Sequence, residues 1–192
     1  MANTGERLRE LYTASEVARF CQVDLKTIHN WSERGEIRHF RTPGRHLRFR
    51  RVDVLDFLRK YGYPIPEELT AGRPRVHVLD DDGTWLGNIK RSLGKRFEVT
   101  TFQDPFDALV ALGADTPDAI VIDIKMPTLD GLRCLARLKQ IPTTRHMRTV
   151  VFSGHEETKK KALDAGAAAF VAKPDVAKLK ETLEAILGLE PG

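Results

Sequence analysis

The second part of the chain alternates between short apolar runs and amphipathic helical patterns, and this alternation constrains its fold most strongly. The apolar runs cover residues 76–79, 97–101, 119–122, 149–152 and 168–171. The helical patterns cover residues 84–93, 105–113, 131–140, 157–165 and 176–187. Strands that alternate with helices favour a parallel sheet with helices on its faces. We therefore predict a doubly wound α/β domain with a five-stranded parallel sheet over residues 75–192.

Composition excludes several classes of protein. Hydrophobic residues make up 41% of the 192 residues and charged residues 30%, which is too apolar for a disordered chain. No apolar run approaches the roughly 18 residues of a membrane span, and the first residues lack the basic and apolar regions of a signal peptide. Cys21 and Cys134 cannot form a disulfide framework and lack metal-ligand spacing. We therefore expect a cytoplasmic protein without a membrane partner.

The distribution of charge and the local proline and glycine content indicate a separate N-terminal domain. The formal net charge of +4 is too small to indicate a nucleic-acid partner, but it is unevenly distributed. Residues 34–51 contain seven arginines and one acid, Glu36, which gives a local charge of +6 (seven minus one). Residues 62–74 contain three prolines and two glycines, which disfavour helix and strand. We predict a domain over residues 1–61, a linker over 62–74 and the α/β domain over 75–192.

The N-terminal domain contains the signals of two short helices joined by a tight turn. Thr13 and Glu16 have the spacing of a capping box at the start of the first helix. Asp24 can cap a second helix over residues 25–34, and Gly35 follows as a C′ residue. The second helix is polar on its free face, so the pattern predicts a helix-turn-helix.

A hairpin and a third helix are expected to follow the helix-turn-helix. Residues 37–41 and 46–50 alternate with period two around a Pro-Gly turn, which is typical of a β-hairpin. One face of the hairpin carries Phe40, Leu47 and Phe49, and the other carries arginines. Residues 52–61 form an amphipathic pattern that would close the domain.

Residues 9–61 as a whole resemble the winged helix-turn-helix of the MerR/excisionase group. The resemblance lies in the motifs at residues 11–18, 23–24, 27–31, 35–37, 41–49 and 52–54, including Trp31 and the Thr-Pro-Gly-Arg-His wing tip. It implies that helix 25–34 enters the major groove of double-stranded DNA and that hairpin 37–50 is a wing on the backbone or minor groove. Regulators of that group commonly continue into a long dimerisation helix. Here the linker follows at once, so we expect dimerisation and signal reception elsewhere, or cooperative binding as a monomer.

The expected DNA contacts come from the polar face of the second helix and from the basic wing. Asn30 has the donor and acceptor pattern that suits adenine, Lys26 suits guanine, and His29 suits either base. Arginines neutralise phosphates and release counterions. The ten residues expected to contact DNA are Lys26, Thr27, His29, Asn30, Arg34, Arg38, Arg41, Arg45, His46 and Arg48.

In the second domain, acids, a hydroxyl and a lysine directly follow the predicted strands. Residues 80–82 are all aspartate, Asp123 follows the third strand, Ser153 the fourth and Lys173 the fifth. The carboxyl ends of parallel strands meet at one edge of the sheet, where such folds bind ligands. Carboxylates with open water positions suit Mg²⁺. An aspartate beside Mg²⁺, a hydroxyl and a lysine can accept a phosphoryl group.

This second domain resembles the receiver domain of two-component response regulators almost from end to end. The matching motifs are residues 78–82, 121–127 with 130–131, 152–154, 166–167 and 170–174. They fall in order on the predicted strand ends. Ala168 and Ala169 depart from an acidic pair common in one subgroup, which puts that subgroup's dimer face in doubt.

The resemblance implies a role for each site residue. Asp123 would be the phosphoacceptor, and Asp80, Asp81, Asp123 and the backbone carbonyl of Lys125 would hold Mg²⁺. Lys173 would pair with the phosphoryl group, Ser153 would hydrogen-bond it, and Phe170 would take the aromatic switch position. The Lys173–Pro174 peptide bond would be cis. The phosphoryl donor would be a sensor histidine kinase or a histidine phosphotransfer protein.

Together the two domains predict a DNA-binding response regulator of a phosphorelay. Phosphorylation of Asp123 would modulate DNA binding or self-association, for example homodimerisation, in transcription regulation. The alternative is a phosphorylation-controlled interaction, localisation or DNA-architectural protein that does not regulate transcription. No third domain is evident to carry an enzymatic output, so we do not expect an enzyme: the receiver domain would catalyse only its own phosphotransfer and dephosphorylation.

Overall fold

The computed structural model describes residues 11–70, 72–114, 116–127, 129–141, 144–145 and 147–189. The chain forms two compact units, and the boundary between them falls between Gly72 and Arg73. Residues 1–10, Ala71 and residues 190–192 belong to the predicted domains and linker but lie outside the described residues.

The described residues of the first unit form three α-helices and a small antiparallel sheet. Its elements are β1 (Leu11–Thr13), α1 (Ala14–Cys21), α2 (Leu25–Glu33), β2 (Phe40–Arg41), β3 (Leu47–Arg50) and α3 (Arg51–Lys60), followed by a 3₁₀ turn at Glu67–Leu69. The sheet order is β1-β3-β2, with Tyr12 opposite Phe49 and Phe40 opposite Arg48. Strand β1 was not predicted, because three residues are too few to show an alternating pattern.

Local capping signals set the ends of the two short helices. The Thr13 hydroxyl accepts from the backbone N–H of Glu16 at 3.3 Å, and the Glu16 carboxylate accepts from the backbone N–H of Thr13 at 2.8 Å. The Asp24 carboxylate accepts from the backbone N–H of Thr27 at 2.7 Å. Gly35, just past the end of α2, has a φ of +72°, which favours glycine. The predicted capping box and helix ends are confirmed.

A single apolar core holds the first unit together. Val17, Ile28, Phe49, Leu55 and Leu58 are completely buried in it. The predicted strand at 37–41 is shorter than expected, because only its last two residues pair with β3. The core therefore contains both helices of the helix-turn-helix, the hairpin and α3.

The segment predicted as a linker differs from expectation, because most of it packs on the first unit. Leu69 is completely buried in the core, and its carbonyl accepts a hydrogen bond from the Arg51 guanidinium at 3.3 Å. The Tyr12 hydroxyl donates to the Glu68 carbonyl at 3.2 Å, and Tyr63 stacks on Phe57. Proline and glycine disfavour helix and strand, but they do not prevent intervening apolar side chains from packing. We call residues 63–70 the strap.

The second unit contains the alternating elements that the sequence predicts. They are β4 (Arg75–Leu79), α4 (Gly83–Leu93), β5 (Glu98–Phe102), α5 (Pro105–Ala114), β6 (Ala119–Ile122), β7 (Lys125–Met126), β8 (Leu129–Asp130), α6 (Gly131–Gln140), β9 (Arg148–Ser153), α7 (Lys159–Asp164), β10 (Ala169–Ala172) and α8 (Val176–Ile186). The short β7–β8 pair was not predicted, and a 3₁₀ turn at Glu156–Thr158 replaces the start of the predicted helix 157–165.

In the part of the chain that the structure describes, the main sheet has five strands in the order β10-β9-β6-β4-β5, and every neighbouring pair is parallel. This confirms the predicted doubly wound α/β fold. Strand β6 is buried along its whole length, as a central strand covered on both faces should be. Leu79 at the end of β4 pairs with Ile122 at the end of β6, so the residues that follow them lie side by side.

Both cysteines are free and buried, one in each unit. Burial raises the pKa of the Cys21 thiol to about 11 and also raises the pKa of Cys134. Among the described residues, no helix is long and apolar enough to span a membrane.

Candidate phosphoryl site and nucleic-acid interface

Three aspartates converge at the carboxyl edge of the sheet in the second unit. One carboxylate oxygen from each of Asp80, Asp81 and Asp123 lies within 4.8 Å of the others. Asp80 and Asp123 are buried, at 2% and 9% exposure, whereas Asp81 is exposed. The arrangement offers an oxygen-rich site that is open on one side, and oxygen ligands of this kind suit a hard divalent cation.

Lys173 bridges the two buried aspartates. Its Nζ lies 2.6 Å from Oδ2 of Asp80 and 2.8 Å from Oδ2 of Asp123. Burial raises the pKa of Asp80, although the hydrogen bond from Lys173 partly offsets this rise. Burial alone would lower the pKa of Lys173, but hydrogen bonds to Asp123 and Asp80 outweigh it and raise that pKa. The ammonium therefore acts as an internal counterion for the pair.

The backbone around Asp123 holds its carboxylate in place. Oδ1 accepts from the backbone N–H of Ile124 at 2.6 Å and from that of Lys125 at 3.4 Å. Gly131 begins α6 directly against this backbone, and a Cβ there would lie 2.3 Å from the Asp123 carbonyl oxygen. Only a residue without a side chain fits this close approach. The Asp130–Gly131 pair thus caps α6 and lets its first turn pack beside the site.

Ser153 and Phe170, the two predicted switch residues, lie on neighbouring strands. Ser153 is completely buried, and its Oγ has no hydrogen-bond partner among the described residues. Phe170 is half-buried and packs against a cluster that contains Ile124 and Val151. A buried hydroxyl without a partner is costly, so Ser153 is placed to donate a hydrogen bond to an acceptor that enters the site. The switch roles themselves stay predictions.

Two aromatic rings lie near Lys173, and one of them, Trp85, belongs to none of the motifs found in the sequence. The Lys173 Nζ lies 5.4 Å from the ring centroid of Trp85 and 5.9 Å from that of Phe152. The two rings meet edge to face, with centroids 5.8 Å apart. Trp85 stands in the first turn of the helix that follows the acidic run, and that short spacing is the signal that could have found it.

An open groove of about 740 Å³ lies beside the aspartates. The residues that line it are Asp81, Ile124, Lys125, Met126, Pro127, Leu129, Asp130, Leu132 and Thr158. The Lys125 side chain is exposed at this groove, and its backbone carbonyl stays a predicted metal ligand.

In the first unit, the ten residues predicted to contact DNA are all exposed or half-buried. The exposed members are Lys26, Asn30, Arg34, Arg38, Arg41, Arg45 and His46, and the half-buried ones are Thr27, His29 and Arg48. On the opposite face of α2, Ile28 and Ser32 are buried. Helix α2 therefore presents its polar face to solvent, as predicted.

The Trp31 side chain connects α2 to α3 and to the strap. Its ring centroid lies 5.1 Å from that of Phe57 in α3 and 6.3 Å from that of Tyr63 in the strap. Trp31 is half-buried and packs against the core of the first unit. The contact also ties the position of α2 to the strap, which the sequence did not predict.

The wing tip contains an arginine in a conformation that favours glycine. Arg45 has a φ of +62°, and among the described residues only Gln22 is another non-glycine with positive φ. The N–H of Arg45 donates to the Thr42 carbonyl at 2.8 Å, and the Arg41 guanidinium donates to the Arg45 carbonyl at 3.1 Å. A left-handed residue with a Cβ costs roughly 1–2 kcal/mol.

The surface charge of residues 34–51 is smaller than the sequence suggested. Arg51, the last arginine of the basic run, is 1% exposed and donates to the strap at Leu69. The local charge of +6 therefore includes one cation that serves the core and does not face solvent.

Comparison with known families agrees with both halves of the molecule. The response regulator receiver domain family matches residues 76–184, which is more than half of the chain, and the chain belongs to this family. A helix-turn-helix domain family matches residues 11–62. The two matches confirm the predicted combination of a helix-turn-helix and a receiver.

Among similar proteins, the transcriptional regulatory protein PrrA of Mycobacterium tuberculosis is 35% identical over 116 residues, covering 59% of this chain and 50% of PrrA. The response regulator MprA of Mycolicibacterium vanbaalenii is 34% identical over 103 residues, covering 52% of this chain and 44% of MprA. The chain thus spans about half the length of these relatives.

Solved structures also resemble the second unit. The receiver domain of a Francisella response regulator covers 60% of this chain and 98% of its own, with 26% identity and a TM-score of 0.56. The N-terminal receiver domain of a response regulator from Bacteroides fragilis gives the same coverage and TM-score at 25% identity. These likenesses confirm the receiver fold.

Proposed function

We propose that this chain is a DNA-binding response regulator that accepts a phosphoryl group on Asp123 and thereby modulates DNA binding or self-association. The observation that carries the proposal is the Lys173 ammonium shared between Asp80 and Asp123 at the carboxyl edge of the sheet. A lysine in this position pairs with the carboxylates and can pair instead with the oxygens of an incoming phosphoryl group.

The residues at the site fit a bound Mg²⁺. Asp80, Asp81, Asp123 and the Lys125 carbonyl would hold the ion, and their hard oxygen atoms are the ligands it prefers. When bound, the ion supplies positive charge against the phosphoryl oxygens.

Each protein group then has a distinct part in the transfer. A carboxylate oxygen of Asp123 attacks the phosphorus of a phosphohistidine donor, the P–N bond breaks, and the imidazole nitrogen keeps the electron pair. Lys173 offsets the negative charge that arrives at Asp123. The Ser153 hydroxyl, which lacks a partner among the described residues, donates to a phosphoryl oxygen. The donor would be a sensor histidine kinase or a histidine phosphotransfer protein.

The first unit would bind double-stranded DNA through α2 and the wing. Helix α2 presents Lys26, His29 and Asn30 on its solvent side, where they can reach base edges in a major groove. The wing arginines would neutralise phosphates. We propose transcription regulation as the output, without a further enzymatic activity.

The test is selection of bound duplexes by the full chain, with Mg²⁺ and beryllium fluoride as a phosphoryl mimic, and again without them. We expect a preferred duplex sequence and a change in affinity, stoichiometry or cooperativity when the mimic is present. The variant Asp123→Asn should show the same preference but no response to the mimic. An affinity, stoichiometry and cooperativity that are identical in every arm would refute the coupling. Weak, non-specific or absent DNA binding would instead support an interaction, localisation or DNA-architectural role.

A further inference from the structure

We propose that Trp85 is a positioning residue for Lys173, holding the ammonium at the phosphoryl site while the carboxylates exchange it for a metal ion. This role rests on the proposed phosphoryl chemistry of Asp123. It concerns an aromatic side chain that belongs to none of the motifs on which the receiver resemblance depends.

The position of Trp85 follows from how α4 begins. Asp82 caps the helix by accepting from the backbone N–H of Thr84 at 2.8 Å, which fixes the first turn beside the end of β4. Trp85 is half-buried in that turn, and its ring centroid lies 5.4 Å from the Lys173 Nζ. Phe152, from the neighbouring buried strand, meets the Trp85 ring at an interplanar angle of 86° and steadies its orientation.

The need for such a group arises because Lys173 pairs with two of the carboxylates that would also hold a divalent cation. Its Nζ contacts Oδ2 of both Asp80 and Asp123, at 2.6 and 2.8 Å. A divalent cation that binds these carboxylates weakens both ion pairs and also repels the ammonium. A lysine side chain has four rotatable bonds and would otherwise gain many conformations away from the site.

An aromatic face solves this problem without competing for the metal. The ring quadrupole attracts an ammonium by roughly 0.5–2 kcal/mol, depending on how far the pair is removed from water. An indole is the best of the aromatic faces for this purpose, and it offers no lone pair that would bind Mg²⁺. Trp85 therefore keeps Lys173 within reach of an incoming phosphoryl group after the carboxylates have released it.

A positioning role and a purely space-filling role predict different results for two substitutions of similar size. Trp85→Phe keeps an aromatic face, whereas Trp85→Leu keeps an apolar side chain without one. We expect labelling of the full chain by acetyl phosphate in Mg²⁺ to be about fivefold slower in Trp85→Leu and nearly unchanged in Trp85→Phe. Equal rates in the two variants would overturn the proposal.

A second readout does not depend on phosphorylation. In the metal-free chain, the ring current of Trp85 should shift the ε-methylene proton resonances of Lys173 upfield, and Lys173→Ala would assign them by their loss. On addition of Mg²⁺, the shift should persist in the wild type and in Trp85→Phe but be clearly smaller in Trp85→Leu, where only the Phe152 ring remains near the ammonium. Loss of the shift in the wild type when Mg²⁺ binds would overturn the proposal.

Failure of the proposed function would look different from failure of this role. A wild-type chain that takes no phosphoryl group from acetyl phosphate would refute the chemistry at Asp123, and the role of Trp85 with it. A wild-type chain that is labelled, with both Trp85 variants labelled at the same rate, would refute only the role of Trp85. Thermal unfolding of the two variants should occur at similar temperatures, since both remove part of the same side chain.

Discussion

The two candidate sites of this molecule use charge in opposite ways. In the second unit, Asp80, Asp123 and Lys173 are largely withdrawn from solvent and satisfy one another at 2.6 and 2.8 Å. In the first unit, Lys26 and Arg38 are exposed and have no ion-pair partner among the described residues. The charged groups of the candidate phosphoryl site therefore pair with one another. The basic groups of the candidate nucleic-acid face are instead open to an outside polyanion.

Gly131→Ala should have the largest effect, because the added Cβ would displace the backbone that holds the buried site. The added Cβ would meet the Asp123 carbonyl oxygen at 2.3 Å and the Ile124 Cα at 2.7 Å. We expect the free energy of unfolding of the second unit to fall by about 3 kcal/mol. Denaturant unfolding followed by circular dichroism measures it.

Gly87→Ala is the matched control, since nothing lies within 4 Å of a Cβ added at that helical position. There the alanine should stabilise α4 by up to about 1 kcal/mol. Similar behaviour of the two variants would contradict the close approach at Gly131.

Lys173→Ala should show that the phosphoryl site holds its own counterion. Without the ammonium, the carboxylates of Asp80 and Asp123 face each other, so stability in a chelator should fall by about 2 kcal/mol. Mg²⁺ should restore much of this loss, because it replaces the missing positive charge. Thermal unfolding with chelator and with Mg²⁺ tests this; a Mg²⁺ effect no larger than that of the wild type would argue against the exchange.

The salt dependence of DNA binding should show that the basic side chains of the wing face solvent and engage DNA phosphates. If about six basic groups engage phosphates, log K should fall with a slope of about −5 against log salt. Arg38→Ala should reduce the magnitude of that slope by about 0.9 without changing sequence preference. Fluorescence anisotropy over a range of salt concentrations measures the slope.

The control for this measurement removes one exposed cation from the other unit. Lys178 pairs with Glu181 on α8 at 2.9 Å, and Lys178→Ala should leave the slope unchanged. If Lys178→Ala and Arg38→Ala reduced the magnitude of the slope equally, the result would contradict a specific role of the wing in contacting DNA phosphates.

The smallest effect is expected at Arg45, where function and stability oppose each other. Arg45→Gly relieves the left-handed backbone, and Arg45→Ala does not, although both remove the charge. The glycine variant should therefore be the more stable of the two by about 1 kcal/mol. Both variants should bind DNA equally weakly relative to the wild type. A glycine variant less stable than the alanine variant would mean that the backbone is not strained there.

The phosphoryl site could be predicted from the sequence because parallel strands align the residues that follow them. Leu79 pairs with Ile122 and Ser153 with Ala172, so Asp80, Asp123 and Lys173 meet at one edge. Trp85 could not be predicted in this way. Its place over Lys173 depends on how α4 packs on the sheet, which no strand register determines.

In the first unit, too, local features could be predicted from the sequence and long-range contacts could not. Thr13 and Asp24 cap helices by accepting hydrogen bonds from backbone N–H groups three residues further along the chain. Their predicted roles are confirmed. Arg51 and Leu69 are eighteen positions apart and meet in the core, and nothing in the local pattern indicates that contact. Composition correctly indicated that residues 63–70 are not regular helix or strand, but it could not indicate that they pack.

The two buried thiols give the molecule a practical property. Cys21 has a pKa of about 11, Cys134 has a raised pKa, and both side chains are shielded from solvent. Alkylating dyes attack exposed thiolates, so the natural chain should remain unlabelled near neutral pH. One cysteine introduced on the surface of each unit would then be the only attachment points for a pair of fluorophores. Energy transfer between them would report how the spacing of the units responds to phosphorylation and DNA.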